Sequence, residues 1–101
     1  KNVLLVDDEV NTAGSVVNAV NVVRDYGARD VLFAFTHPFF SERAYERLAA
    51  LDLRDIIFTN TLAIPEARKL PNMTVLSIAP LLGEVILRAH EGRSVGALFN
   101  E

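Results

Sequence analysis

Residues 3–15 read Val3-Leu4-Leu5-Val6-Asp7-Asp8-Glu9-Val10-Asn11-Thr12-Ala13-Gly14-Ser15, and this stretch decides the fold. Val3 to Val6 form a short, continuous apolar run that ends in the adjacent carboxylates Asp7 and Asp8. Such a run reads as a strand buried in a parallel sheet. Small residues then lead into a helical pattern, because Ala13, Val16, Val17, Val20 and Val23 share one face of a helix over 13–26. Gly27 stops that helix.

The same alternation continues downstream. A second strand is expected over 31–36, closed by His37-Pro38, and a third over 55–59. Between them Ser41 stands ready to cap a helix whose buried stripe is Ala44, Tyr45, Leu48 and Leu51. The stretch 60–72 carries two prolines and little periodicity, so it reads as a loop with at most one helical turn. A short fourth strand over 73–77 precedes a last helix over 80–91, with Leu81, Leu82, Val85, Ile86 and Ala89 expected inward. Strand-helix-strand repetition of this kind gives an α/β fold with a parallel sheet and right-handed crossovers. In such sheets ligands sit beyond the carboxyl ends of the strands.

The 101 residues fit one domain. Cysteine is absent, which excludes a disulfide framework, a thiolate zinc site and a cysteine nucleophile. Thirteen acidic against ten basic side chains, a formal charge of −3, argue against a nucleic-acid partner. No apolar run approaches the ~20 residues that span a bilayer. The expectation is a soluble, cytoplasmic domain with no membrane partner. Half of its residues are apolar, which favours burial of one face against a second domain or subunit.

The opening segment also carries the chemistry. Backbone N–H groups at a helix start are free and the helix dipole favours an anion. Thr12 and Ser15 add hydroxyl donors, and Gly14 leaves room for a phosphate. Carboxylates a few residues away suit hydroxyl groups, so a sugar phosphate fits, with or without magnesium. On the residues alone an equal reading is that Asp7 and Asp8 end a strand and Thr12 caps a helix. The segment is neither a Walker loop nor a dinucleotide fingerprint.

Two families share parts of this pattern. The start of the chain is similar to a response-regulator receiver, but a receiver needs an aspartate at the end of its third strand. Here that strand ends Phe58-Thr59-Asn60-Thr61. Asp7 to Ser15 resembles the ribose 5-phosphate loop of the ribose-phosphate pyrophosphokinase family, which reads Asp-Asp-x-x-Asp-Thr-Ala/Cys-Gly-Thr. The resemblance continues through Gly27-Ala28, Thr36-His37, Phe40-Ser41, Thr59-Asn60-Thr61, Leu82, Glu84, His90-x-Gly92, Ser94-Val95 and Leu98-Phe99.

It implies a phosphoribosyltransferase-like, Rossmann-like three-layer sandwich. Residues 1–101 would be a single such domain, the C-terminal part of a two-domain enzyme. By the same resemblance Asp7 and Asp8 hold the ribose 2- and 3-hydroxyls, and Asn11, Thr12, Ala13, Gly14 and Ser15 wrap the 5-phosphate. The implied reaction transfers the diphosphoryl group of ATP to the anomeric hydroxyl with Mg2+, releasing AMP. The family's catalytic lysine and arginine, its metal-binding histidine and most of its ATP site lie upstream, so no catalytic residue is expected in this chain and its metal ligands stay unassigned. Homo-oligomers are implied.

The sequence departs from the family at Asn11 (aspartate), Glu9 (apolar), Ser15 (threonine) and Gly96, where a second serine accompanies Ser94 at a regulatory phosphate site. A salvage phosphoribosyltransferase and a non-catalytic paralogue of the synthetase are the alternative readings. Among the remaining residues, His37 is expected to support a loop and His90 to complement a helix end. Phe39 and Phe40 are expected to pack, and Arg43, Glu46 and Arg47 to face solvent.

Overall fold

The computed structural model describes residues 1–99. Four strands, β1 (Val3–Val10), β2 (Val31–Pro38), β3 (Asp55–Thr59) and β4 (Met73–Leu76), form one parallel sheet in the order β1-β2-β3-β4. Helix α1 (Gly14–Asp25) links β1 to β2, α2 (Glu42–Ala50) links β2 to β3, and α3 (Ala79–His90) follows β4. The expected loop over 60–72 contains a single 3-10 turn at Glu66–Arg68, and a second such turn spans Gly96–Phe99.

The α/β parallel fold read from the sequence is present. Because strand order follows chain order, right-handed crossovers bring α1 and α2 to the same face. There Val16 and Val20 of α1, Ala44 and Leu48 of α2, and Val31, Phe33, Phe35, Ile56 and Phe58 of the sheet close one core. Phe35 stacks on Phe58 at 5.2 Å between ring centroids, and Phe40 meets both edge-on at 5.6 Å. Aromatic pairs at such offsets add to the simple burial of their area.

Of the expected three layers, the described residues supply two, the sheet and the α1/α2 layer. The opposite sheet face leaves Val6 73% exposed, with Leu4 and Leu76 also open. The inward stripe expected on the last helix is corrected here: α3 has no buried residue, and Ile86 is 68% exposed. The second sheet face is bare because with this strand order both crossovers lie on the other one, and α3, which follows the last strand, packs on neither face. A radius of gyration of 16.1 Å, against about 13 Å for a compact chain of this size, reflects α3 standing off the sheet.

Strand β1 also runs further than its apolar run. Asp7 pairs with Phe35, Glu9 with His37 and Val10 with Pro38, so Asp7, Asp8 and Glu9 lie within the strand instead of after it. A continuing partner strand overrides the weak strand propensity of the acidic residues.

Candidate functional site

The carboxyl end of β1, residues 11–13 and the first turn of α1 enclose a cleft of about 200 Å³ lined by Asp7, Glu9 and residues 10–16. Ala13 sits at the N-cap of α1 in the left-handed region, φ 64°, and is buried. A non-glycine residue held there stores of order 1 kcal/mol of strain, a feature that clusters at ligand loops. Thr12 does not cap the helix in the usual sense; its Oγ1 accepts the Gly14 N–H at 3.4 Å. Among the described residues the N–H groups of Thr12, Ala13, Ser15 and Val16 donate to no protein acceptor. Free amides around a helix start are what an anion needs.

A Cβ added at Gly14 would meet Arg47 Nη1 at 3.4 Å and Thr12 Oγ1 at 3.6 Å, ordinary contact distances. Nothing in the chain itself therefore demands glycine there.

Strand alternation separates the carboxylates. Asp7 and Glu9 line the cleft, whereas Asp8 has the opposite parity and is not among the lining residues. Asp7 Oδ1 accepts the Asp8 N–H and Asp8 Oδ1 accepts the Glu9 N–H, both at 2.8 Å. A hydrogen bond shared with the Asp7 side chain, then the backbone N–H groups of Glu9 and Asp8, hold the Asp8 carboxyl below its ordinary value of 3.8. Asp8 is thus ionised throughout the neutral and mildly acidic range. Among the described residues no three His, Asp or Glu side chains converge as a metal cage.

Asn11 lines the cleft, and its carbonyl accepts both the Ser41 N–H (2.9 Å) and the Ser41 hydroxyl (3.1 Å). Ser41 occupies the N-cap position of α2 but spends its hydroxyl on that carbonyl, not on its own helix. His37 Nδ1 lies 2.9 Å from Thr61 Oγ1, as its loop-supporting reading expects. The hydroxyls of Thr59 and Thr61 donate to the Thr36 carbonyl, and Asn60 Oδ1 accepts the Ile78 N–H, so all three hold loop ends. Ser94 is outside the cleft and its Oγ accepts the Ala97 N–H of the last turn. Phe40 packs as expected, but Phe39 is half exposed.

Arg47 is the correction that matters most. Assigned to solvent from its helix position, it is half-buried and its Nη1 donates to the Thr12 carbonyl at 2.8 Å. Its place three residues after buried Ala44 and next to buried Leu48 is the signal that reveals it, because that position borders the inward stripe.

Fold and cleft together define a parallel α/β domain in which exposed carboxylates at the end of β1 adjoin a loop of free amides. The domain family described as phosphoribosyl synthetase-associated domain matches residues 1–100. The chain is 40% identical over 100 residues to a ribose-phosphate pyrophosphokinase of Corynebacterium ammoniagenes, covering 99% of this chain and 32% of that protein. It is 47% identical over 97 residues to the enzyme of the same name from Mycobacterium leprae, covering 96% of this chain and 30% of that one. The crystal structure of phosphoribosylpyrophosphate synthetase from Mycobacterium smegmatis superposes with a TM-score of 0.86 at 46% identity, over 91% of this chain and 31% of that one. The chain belongs to the ribose-phosphate pyrophosphokinase family, and it spans about a third of the length of the curated relatives it matches. No helix among the described residues is long and apolar enough to cross a membrane.

Proposed function

We propose that this chain is the C-terminal, sugar-binding part of a ribose-phosphate diphosphokinase. The observation that carries the reading is the cleft at 11–15, whose unpaired amides face away from the protein's own acceptors beside Asp7. The 5-phosphate of ribose 5-phosphate takes the amides of residues 12, 13, 15 and 16 together with the Thr12 and Ser15 hydroxyls. Asp7 and its hydrogen-bonded neighbour Asp8 accept the two ribose hydroxyls.

So held, the anomeric oxygen attacks the β-phosphorus of ATP. A new oxygen–phosphorus bond forms, the α,β-bridging bond breaks, AMP leaves and the hydroxyl proton is lost. Placement of the acceptor is what these residues contribute to that step. The exposed carboxylates of Asp7 and Asp8 are hard oxygen donors of the kind Mg2+ takes in ones and twos, completed by water and substrate oxygens. When bound, Mg2+ neutralises phosphate charge. Upstream residues of a longer chain supply the ATP site, and a homo-oligomer is the assembly the family resemblance implies.

The test is incubation of the protein with ATP, Mg2+ and ribose 5-phosphate. AMP appearing in step with phosphoribosyl pyrophosphate supports the reading. Binding of ribose 5-phosphate with no AMP formed would favour the non-catalytic paralogue, whose distinguishing features are Asn11 and Gly96.

The pH dependence of binding follows from the two anionic partners. The depressed Asp8 carboxyl stays charged as pH falls toward its ordinary value of 3.8, so it does not titrate near neutrality. The ligand's phosphate dianion takes up a proton at about pH 6. Affinity for ribose 5-phosphate is expected to fall about tenfold from pH 7 to pH 5 by loss of the dianion. Free ribose, titrated calorimetrically in parallel, is expected to show no change over that window.

A further inference from the structure

The geometry points to helix α2 as the element that shapes the phosphate loop, with Arg47 and Ser41 acting as positioning residues for the anion; this rests on the phosphate-binding role proposed above. Two consecutive loop carbonyls are taken by α2 and its N-cap. Asn11 C=O accepts from the Ser41 backbone and hydroxyl, at 2.9 and 3.1 Å, and Thr12 C=O accepts from Arg47 Nη1 at 2.8 Å. All peptide bonds among the described residues are trans. In a planar trans peptide the C=O and the following N–H point in opposite directions.

Tethering the carbonyls of 11 and 12 to α2 therefore turns the N–H groups of Thr12 and Ala13 the other way. Neither Ser41 nor Arg47 lines the cleft, so that other way is toward it. The tethers have a second consequence. A carbonyl oxygen aimed into the cleft would repel a phosphate, and α2 holds both of these on the far side.

Arg47 adds a third contribution. Its guanidinium stands 3.4 Å from where a Gly14 Cβ would lie and does not line the cleft, so it brings a positive charge to the back of the loop. The left-handed φ of 64° at Ala13 is the backbone twist that this arrangement needs, and Arg47 secures the peptide that precedes it. Glycine would adopt the twist without help. Alanine at 13 makes the tether from α2 the device that keeps the loop in its binding shape.

The experiment compares wild type, Arg47→Met, Arg47→Lys and Ser41→Ala by amide NMR titration with ribose 5-phosphate and with free ribose. Methionine keeps the apolar stem and removes the donors. Arg47→Met is expected to weaken ribose 5-phosphate binding on the order of tenfold while leaving ribose unchanged. The ligand-induced shift of the Ala13 amide should shrink, with those of Ser15 and Val16 retained. Arg47→Lys should restore most of the affinity and the Ala13 shift. Ser41→Ala, which keeps the backbone donor, should cost a few-fold and reduce the Thr12 shift alone.

Arg47→Met binding ribose 5-phosphate as tightly as wild type, with the Ala13 shift intact, overturns the inference while leaving the phosphate site standing. A wild type that ignores ribose 5-phosphate overturns the site and this inference together. If Arg47→Met loses its dispersed spectrum, Ser41→Ala decides: an unaltered Thr12 shift counts against the tether, a reduced one supports it.

Discussion

Asp7→Ala is expected to weaken ribose 5-phosphate binding between ten- and a hundredfold, the range for losing a hydrogen bond to a charged group. Asp7 is the acidic residue that both lines the cleft and accepts the Asp8 backbone N–H. Removing it takes away the acceptor proposed for one ribose hydroxyl and the acceptor of the Asp8 N–H. Asp8→Ala should cost about tenfold, since the cleft-lining member of the pair remains. Glu9 shares the parity of Asp7 and lines the same cleft, so its negative charge would oppose the dianion proposed to bind there. Glu9→Gln is therefore expected to tighten binding about twofold, the modest size of an exposed charge effect. Isothermal titration of the three variants checks the set. Equal, small losses at all three positions would contradict the assigned roles.

Phe58→Ala is expected to destabilise the fold by about 3–5 kcal/mol. Phe58 is 1% exposed at the end of β3, stacked on Phe35 and capped edge-on by Phe40. Those rings join β2, β3 and the segment leading into α2, so the cavity left by alanine sits where sheet and helix layers meet. Local collapse is restricted because Ile56 and Leu48 are themselves fully buried. A domain of this kind has a total stability of about 5–15 kcal/mol, so the variant is expected to be partly unfolded. The urea midpoint should drop while the dependence on urea stays the same. A loss below about 1 kcal/mol would mean that the aromatic cluster is not the centre of the core.

The element order, the parallel class and the α1/α2 face were legible in the sequence because they rest on local signals. Apolar runs of strand length, the periodicity of Val16 and Val20 and of Ala44 and Leu48, and the stop at Gly27 each speak for themselves. Burial that depends on what lies across the sheet has no such local signal. Leu4, Val6, Leu82 and Ile86 are as apolar as Val20, yet among the described residues no helix covers Leu4 and Val6, and α3 carries Leu82 and Ile86 without packing on the sheet. The length of β1 was likewise invisible, because the partner that extends it through Asp7, Asp8 and Glu9 is the end of β2.

For the site, the loop 11–15 was legible as a small-residue entry to a helix. The parity that parts Asp8 from Asp7 and Glu9 became visible only once the strand was seen to run on to Val10. Arg47 escaped for another reason. A helical pattern sorts residues into inward and outward, whereas Arg47 lies on the border and reaches a loop 35 residues away in the chain.

The proposed binding of a sugar 5-phosphate by residues 11–16 is tested by an amide NMR titration of the protein with ribose 5-phosphate in the presence of Mg2+, with free ribose as the control. Saturable shifts centred on the amides of Thr12, Ala13, Ser15 and Val16, absent with ribose, are the predicted result. A well-dispersed spectrum in which those amides do not move, or move equally with ribose, would contradict it.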